Sequence, residues 1–218
     1  MYIDIHTHRA ATANSLAIHN IGFDDGALVL ESAMNTYFSI GIHPWDVHTY
    51  SPNDIDELRS YCLHESVVAV GECGLDKHST ATIATQTAFF VDQITISEQL
   101  EKPLIIHCVG CFNEVLRIKK EIKPVQPWII HGFRGKPQMA KQLLRAGFYL
   151  SYGEHFNAES VKITPLGKLM IETDESTKDI ADIYQVISDI KSIDINQLKT
   201  SEVVFKKLFL GGFPMKTQ

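Results

Sequence analysis

Short apolar runs recur along the chain, and several of them stop abruptly at an acid or an imidazole. Tyr2-Ile3-Asp4-Ile5 leads into His6-Thr7-His8, Val67-Val68-Ala69-Val70 into Gly71-Glu72, and Leu104-Ile105-Ile106 into His107. Trp128-Ile129-Ile130 leads into His131, and Leu169-Met170-Ile171 into Glu172-Thr173-Asp174. Each run reads as a buried strand. Further apolar runs at 16–21 and 37–42, the latter ending in His43-Pro44-Trp45, and a strand at 148–151 bring the count to eight, the last of them spanning 169–172. Helical patterns fill much of the space between them. They fall at 53–64, where Ile55, Leu58 and Cys62 share one face, and at 86–101, which opens with Gln86 and closes before Pro103. Others fall at 111–122, at 137–146 with Gly147 as the stop, at 177–191 and at 195–209. The alternation predicts an α/β fold, a (β/α)8 TIM barrel. Distortion is expected at 7–16, 22–37 and 157–169, which are too short or irregular for full helices.

Parallel α/β folds collect their chemistry at the carboxyl ends of strands, so groups far apart in sequence meet there. His6, His8, Glu72, His107, His131 and Asp174 all stand at such ends. As nitrogen and oxygen donors they suit one or two divalent cations such as zinc or manganese. His6 and His8, two residues apart in an extended segment, project to the same side and form a pincer. A lone strand-end histidine is commonly a hydrogen-bonded structural residue. Six acids and imidazoles with the same apolar prelude favour a metal site.

Length and composition fit one domain, 1–218. The chain of 218 residues is somewhat short of the roughly 250 usual for a TIM barrel. No apolar stretch reaches the about 20 residues of a membrane span, and the first residues enter a strand directly, so a cytoplasmic protein without export or membrane attachment is expected. Cys62, Cys73, Cys108 and Cys111 are too few and irregular for a disulfide scaffold. Cys108 and Cys111 form a C-x-x-C beside His107, but no second such pair completes a thiolate site, and they read as packing. The net charge of −6 argues against a dedicated high-affinity nucleic-acid binder without excluding a nucleic-acid substrate. Basic residues concentrate in 117–145: Arg117, Lys119, Lys120, Lys123, Arg134, Lys136, Lys141 and Arg145 against the single acid Glu121. Most read as solvated helix faces. Arg134, three residues past His131, is placed to meet a phosphate or carboxylate at the mouth of the site.

The ordered motifs D-I-H-T-H at 4–8, G-I-H-P at 41–44, G-E-C-G-L-D at 71–76, K-P-L-I-I-H at 102–107, I-I-H-G-F-R-G at 129–135, G-F-Y-L-S at 147–151 and E-T-D at 172–174 resemble the TatD-like metal-dependent hydrolases nearly end to end. The resemblance implies a distorted barrel and phosphodiester hydrolysis, commonly on DNA. It implies two divalent metal ions, one held by His6, His8, Glu72 and Asp174 and the other by Glu72, His107 and His131, with Glu72 as bridge. Zinc is the expected ion in the purified protein, with manganese or magnesium as alternatives. The chain departs from many relatives at Gly132, Arg134 and Glu175, and at Lys77 and His78 after the glycine-leucine-aspartate motif. An asparagine common in the last helix is not evident around Glu202–Phe205. These departures concern the substrate more than the metal ligands.

A phosphodiester repels hydroxide, and two cations screen it while activating a water as the nucleophile. Asp174 is the expected catalytic group, orienting or deprotonating that water, with Glu72 as the shared carboxylate. His43 and Arg134 are expected at the substrate phosphate, and Asp76 and Glu172 are expected to orient the ligands. No obligate protein partner is evident. A competing class is an amidohydrolase cleaving a C–N or ester bond, although such enzymes commonly bridge their metals with a modified lysine where this chain has Glu72. A metal-binding interaction protein that has lost catalysis would be expected to show an eroded ligand set, and all six candidates are present.

Overall fold

In the computed structural model, which describes residues 1–30, 35–198 and 201–211, eight parallel strands follow one another along the sheet in chain order. They are β1 (Tyr2–Thr7), β2 (Ser15–Gly22), β3 (Thr36–Gly41), β4 (Val67–Asp76), β5 (Leu104–Val109), β6 (Trp128–Ile130), β7 (Tyr149–Tyr152) and β8 (Leu169–Ile171). The helices are α1 (Asp54–Cys62), α2 (Ile83–Leu100), α3 (Phe112–Ile122), α4 (Pro137–Arg145), α5 (Ala158–Ile163), α6 (Ile180–Lys191), α7 (Ile195–Leu198) and α8 (Ser201–Phe209). This is the (β/α)8 arrangement that the alternation predicts. No helix among the described residues is long and apolar enough to cross a membrane.

Contacts divide the chain into two compact units. The first comprises Met1–His19, residues 35 and 36, and the described residues from 131 onward. Within it β1 pairs with β2 from Tyr2↔Ser15, β7 pairs with β8 from Leu150↔Leu169, and Thr7 bridges Asp174 just beyond β8. The Tyr184 hydroxyl of α6 accepts from the Ile3 N–H at 3.2 Å and donates to the Ile3 carbonyl at 3.0 Å, which fastens that helix to β1. The second unit comprises residues 20–30 and 37–130, with β3, β4, β5 and β6 paired in that order. Here the Gln93 side chain of α2 satisfies both backbone groups of Ile42, at 2.8 and 3.1 Å, and so fixes the chain immediately before His43.

Two segments differ from the sequence pattern in ways that matter for the site. β4 continues four residues past Glu72, because Gly74, Leu75 and Asp76 stay in register with His107, Cys108 and Val109 of β5. An acid at the end of an apolar run marks a chemical group, not the end of the hydrogen-bonded ladder. α2 begins at Ile83, before Gln86, because the Thr82 side chain caps it by accepting from the Thr85 N–H. Similarly, Asp179 caps α6 through the Ala181 N–H, which moves that start from 177 to 180. The expected irregular stretch after Asn157 holds the short α5, capped by Asn157, and a 3-10 turn at Leu166–Lys168. The connection after β2 starts with a 3-10 turn, Phe23–Leu30, and no helix forms between β1 and β2. The expected helix at 195–209 is represented by α7 and α8, with residues 199 and 200 outside the described residues.

Candidate metal centre

In the first unit the end of β1 and the segment after β8 are tied backbone to backbone. The His8 N–H donates to the Asp174 carbonyl at 3.3 Å, and the Asp174 N–H to the His6 carbonyl at 2.9 Å. Asp174 adopts a left-handed backbone, φ 55°, which aspartate tolerates better than most residues. His6 Nε2 and His8 Nε2 each lie 3.5 Å from Asp174 Oδ1, so the i, i+2 pincer closes on that carboxylate. His6 is fully buried and His8 exposed. Burial pushes the Asp174 carboxyl up, but hydrogen bonds from His6 and His8 and the charge of His131 outweigh burial and hold it well below the usual carboxylate range. Asp174 is therefore ionised at neutral pH.

His131 lies beside this group, with its ring centroid 4.3 Å from that of His6. Its Nδ1 is 3.3 Å from Glu172 Oε1, which also accepts from the Gly132 N–H at 2.6 Å. Glu172 is completely buried, and its Oε2 has no hydrogen-bond partner among the described residues. Donor atoms of His6, His8 and Asp174 lie within 4.8 Å of one another, as do those of His131, Glu172 and Asp174.

The second unit builds its own group on β4 and β5. Gly71 and Gly74 flank Glu72 at φ 145° and 138°, and a Cβ at either would run into the carbonyl oxygen of Ile105 or His107. Glycine at both positions lets the two strands approach closely beside Glu72. His107 Nδ1 lies 2.6 Å from Glu72 Oε1, and its Nε2 lies 2.9 Å from Asp76 Oδ2. His43 Nε2 lies 3.4 Å from the same Glu72 oxygen, so His43, Glu72 and His107 form a further cluster of potential ligands. Asp76 is held by the His78 N–H at 2.8 Å and by the Trp45 indole N–H at 2.8 Å. Burial pushes its carboxyl up, but the donors from His78, His107 and Trp45 lower it below the ordinary value.

These residues fit a divalent ion. Buried carboxylates gather here with imidazoles and neutral N–H donors facing them, a poor compensation for negative charge in a region of low polarity. The unpartnered Glu172 Oε2 is the sharpest instance. The donors are the hard oxygen and borderline nitrogen atoms that zinc, manganese or magnesium accept. Asp76 on Nε2 of His107 and Glu172 on Nδ1 of His131 orient these rings, and Nδ1 of His107 faces the Glu72 carboxylate.

Arg134 lies on the exposed loop after β6 with no ion pair or hydrogen bond among the described residues. Sequence reasoning placed His43 at the substrate, and the structure sets it against Glu72. Three polar residues near the ligands were missed. His19 interrupts the apolar run of β2, and burial, then His8 and His6, lower its imidazole below the ordinary value. Trp45, noted only as part of a motif, holds Asp76. Asp4, inside the first apolar run, accepts from the Thr173 N–H at 3.0 Å and from its hydroxyl at 2.6 Å. A polar residue inside an apolar run was the signal available for His19 and Asp4.

A family model described as TatD related DNase matches residues 4–209. The "Uncharacterized metal-dependent hydrolase YcfH" of Escherichia coli (strain K12) is 30% identical over 200 residues, which cover 80% of this chain and 74% of that protein. The "3'-5' ssDNA/RNA exonuclease TatD" of Cronobacter turicensis is 30% identical over 150 residues, 62% of this chain and 55% of its own. Among solved structures, YJJV, a TatD homolog from Escherichia coli K12, superposes with a TM-score of 0.85 over 98% of both chains at 20% identity, a likeness of fold.

Proposed function

The chain belongs to the TatD-related DNase family and is a metal-dependent hydrolase, and from that premise we propose that it cleaves phosphodiesters, single-stranded nucleic acid among them, with two divalent ions held by its strand-end ligands. The observation that carries the reading is the convergence of both ring pairs on carboxylates: His6 and His8 on Asp174, His43 and His107 on Glu72. His6, His8 and Asp174 would hold one ion, His107 and His131 the other, and Glu72 would serve both, as the family motif implies. Zinc is the ion proposed. The uninterrupted family match supports one functional domain, and four cysteines that remain free thiols support the cytoplasm as its compartment.

When bound, the ions screen the phosphate charge and acidify water. The protein's own groups then have distinct tasks. Asp174 Oδ1 faces His6 and His8 as an ionised acceptor and would orient the attacking water or take its proton. Its lowered pKa makes it a weak base but keeps it ionised across the working range, which suits a group that also binds a cation. Asp76 and Trp45 keep the His107 ring in one orientation, and Glu172 does the same for His131. His43 lies close enough to Glu72 to steady that carboxylate or a substrate oxygen beside it.

The experiment is turnover of bis(p-nitrophenyl) phosphate and of single-stranded DNA by zinc- or manganese-loaded protein, with Asp174→Asn alongside. Positioned proton transfer is worth about 10²–10⁴ in rate. The variant is expected to lose at least about a hundredfold in turnover while keeping most of its metal, since asparagine still offers an oxygen. Unchanged turnover would reduce Asp174 to a ligand, and hydrolysis of amides or lactones without any phosphodiesterase activity would overturn the reading.

A further inference from the structure

A cavity of about 470 Å³ opens beside the ends of β2 and β3 and the middle of β4, and His43 and Glu72 form part of its wall. That size is within the range of small-molecule sites. Its remaining surface combines three chemistries. Phe23 and Tyr50 meet edge to face, with ring centroids 4.9 Å apart, and supply flat apolar area. Asp24, Asp25 and Asp46 line the exposed side, and no lysine or arginine lines the cavity among the described residues. Asn20 sits deeper, nine-tenths buried. Its Oδ1 accepts from the Ser39 hydroxyl at 3.0 Å, and its Nδ2 has no partner among the described residues.

Each chemistry restricts the ligand. Ionised carboxylates only accept hydrogen bonds, so whatever meets Asp24, Asp25 and Asp46 must bring donors, and a phosphate there would face like charge at short range. Burial, and then the hydrogen bond to Asp24, push the Tyr50 hydroxyl up to about 12, so it stays protonated and adds no anion of its own. The unpartnered Asn20 amide asks for an acceptor such as a ring nitrogen or carbonyl, and aromatic walls favour a flat ring. A ligand with hydroxyl donors at one end and a flat, acceptor-bearing ring at the other meets all three.

We infer that this cavity is a subsite for a terminal nucleoside whose sugar hydroxyls are free, and that its acidic rim excludes an end that carries a phosphate. The inference rests on the phosphodiesterase reading, because Glu72 and His43 in the wall would place the scissile phosphate of a nucleoside seated here at the metal ligands. It adds a specificity that the ligands alone do not give. Cleavage would proceed from hydroxyl ends and stall at phosphorylated ones.

Two measurements on the zinc-loaded full chain test it. Adenosine, which has no phosphate, is titrated by calorimetry or by NMR of the Tyr50 and Phe23 rings; saturable binding is expected, weakened in Asn20→Ala. Second, KM is compared for a dinucleoside monophosphate with free hydroxyl ends and for the same compound carrying a terminal phosphate. The phosphorylated compound is expected to have a KM at least about tenfold higher, about 1.4 kcal/mol, and the gap should close in Asp24→Asn/Asp46→Asn and narrow with added salt. Equal KM values, a lower KM for the phosphorylated compound, or no saturable adenosine binding would overturn the subsite. Adenosine binding without hydrolysis of any phosphodiester would instead overturn the catalytic reading and leave the cavity assignment standing.

Discussion

What a charged side chain faces decides what it can do, and His107 and Arg134 are opposite cases. His107 has a carboxylate on each ring nitrogen, at 2.6 and 2.9 Å, so its orientation is fixed before any ligand arrives. Arg134 is exposed and makes no ion pair among the described residues. Its planar donor fork is therefore available for an anionic group. Arg134→Ala should raise KM for charged phosphodiesters several-fold and leave metal content and melting temperature unchanged, with Arg134→Lys recovering only part of the loss. Steady-state kinetics checks it: no change in KM would make Arg134 an ordinary surface residue, and complete rescue by lysine would reduce its part to charge alone. The candidate ligand residues stand out in the sequence because each follows an apolar strand run. The contacts of Trp45 and His43 do not, since an indole reaching Asp76 and a histidine turned toward Glu72 depend on distances between strands that spacing along the chain does not contain.

At the scale of elements, the pairing of β1 with the segment after β8 depends on a buried acid. Asp4 receives both the backbone and the hydroxyl donors of Thr173, yet burial outweighs them and raises its carboxyl from an ordinary value of about 3.9 to about 7. The folded protein thus keeps a proton that the unfolded chain releases near pH 4. The associated stability is complete below pH 4 and is lost as pH rises through 7. With about 1.4 kcal/mol per tenfold change in protonation, the loss is on the order of 4 kcal/mol by pH 8. Asp4→Asn cannot titrate, so wild-type stability relative to the variant should fall across this interval. Urea unfolding at several pH values, with chelator present throughout, measures it, and a pH-independent difference would mean that Asp4 does not hold its proton in the fold. The pattern of residues revealed these elements but not their edges. The ladder of β4 runs beyond Glu72 because β5 supplies partners, and α2 starts where Thr82 can cap it. Partners and caps are tertiary and local chemistry, respectively, that a hydrophobic period does not carry.

At the scale of the molecule, eight apolar runs alternating with helical stretches made the (β/α)8 order legible, because strand order along the sheet follows strand order along the chain. How the ligands are shared was not legible from spacing. That comes from the family motif, which assigns Glu72 to both ions, and it has a consequence for the whole protein. Each bound ion stabilises the folded state by mass action, about 2.7 kcal/mol at a hundred times its Kd. If one carboxylate serves both ions, Glu72→Ala should lower occupancy at both and abolish most of the rise in melting temperature on adding zinc. Asp174→Asn should weaken only in part the ion held by His6 and His8, since asparagine still offers an oxygen, and leave the second ion in place. Elemental analysis after gel filtration gives the stoichiometry, and a thermal melt with and without chelator gives the stabilisation. The His43, Glu72 and His107 contacts predict the more severe loss for Glu72→Ala, since two imidazoles within 3.4 Å then lose the carboxylate they face. Full two-ion occupancy in that variant would remove Glu72 from the bridging position, and loss of a single ion would assign it to the His107 side alone.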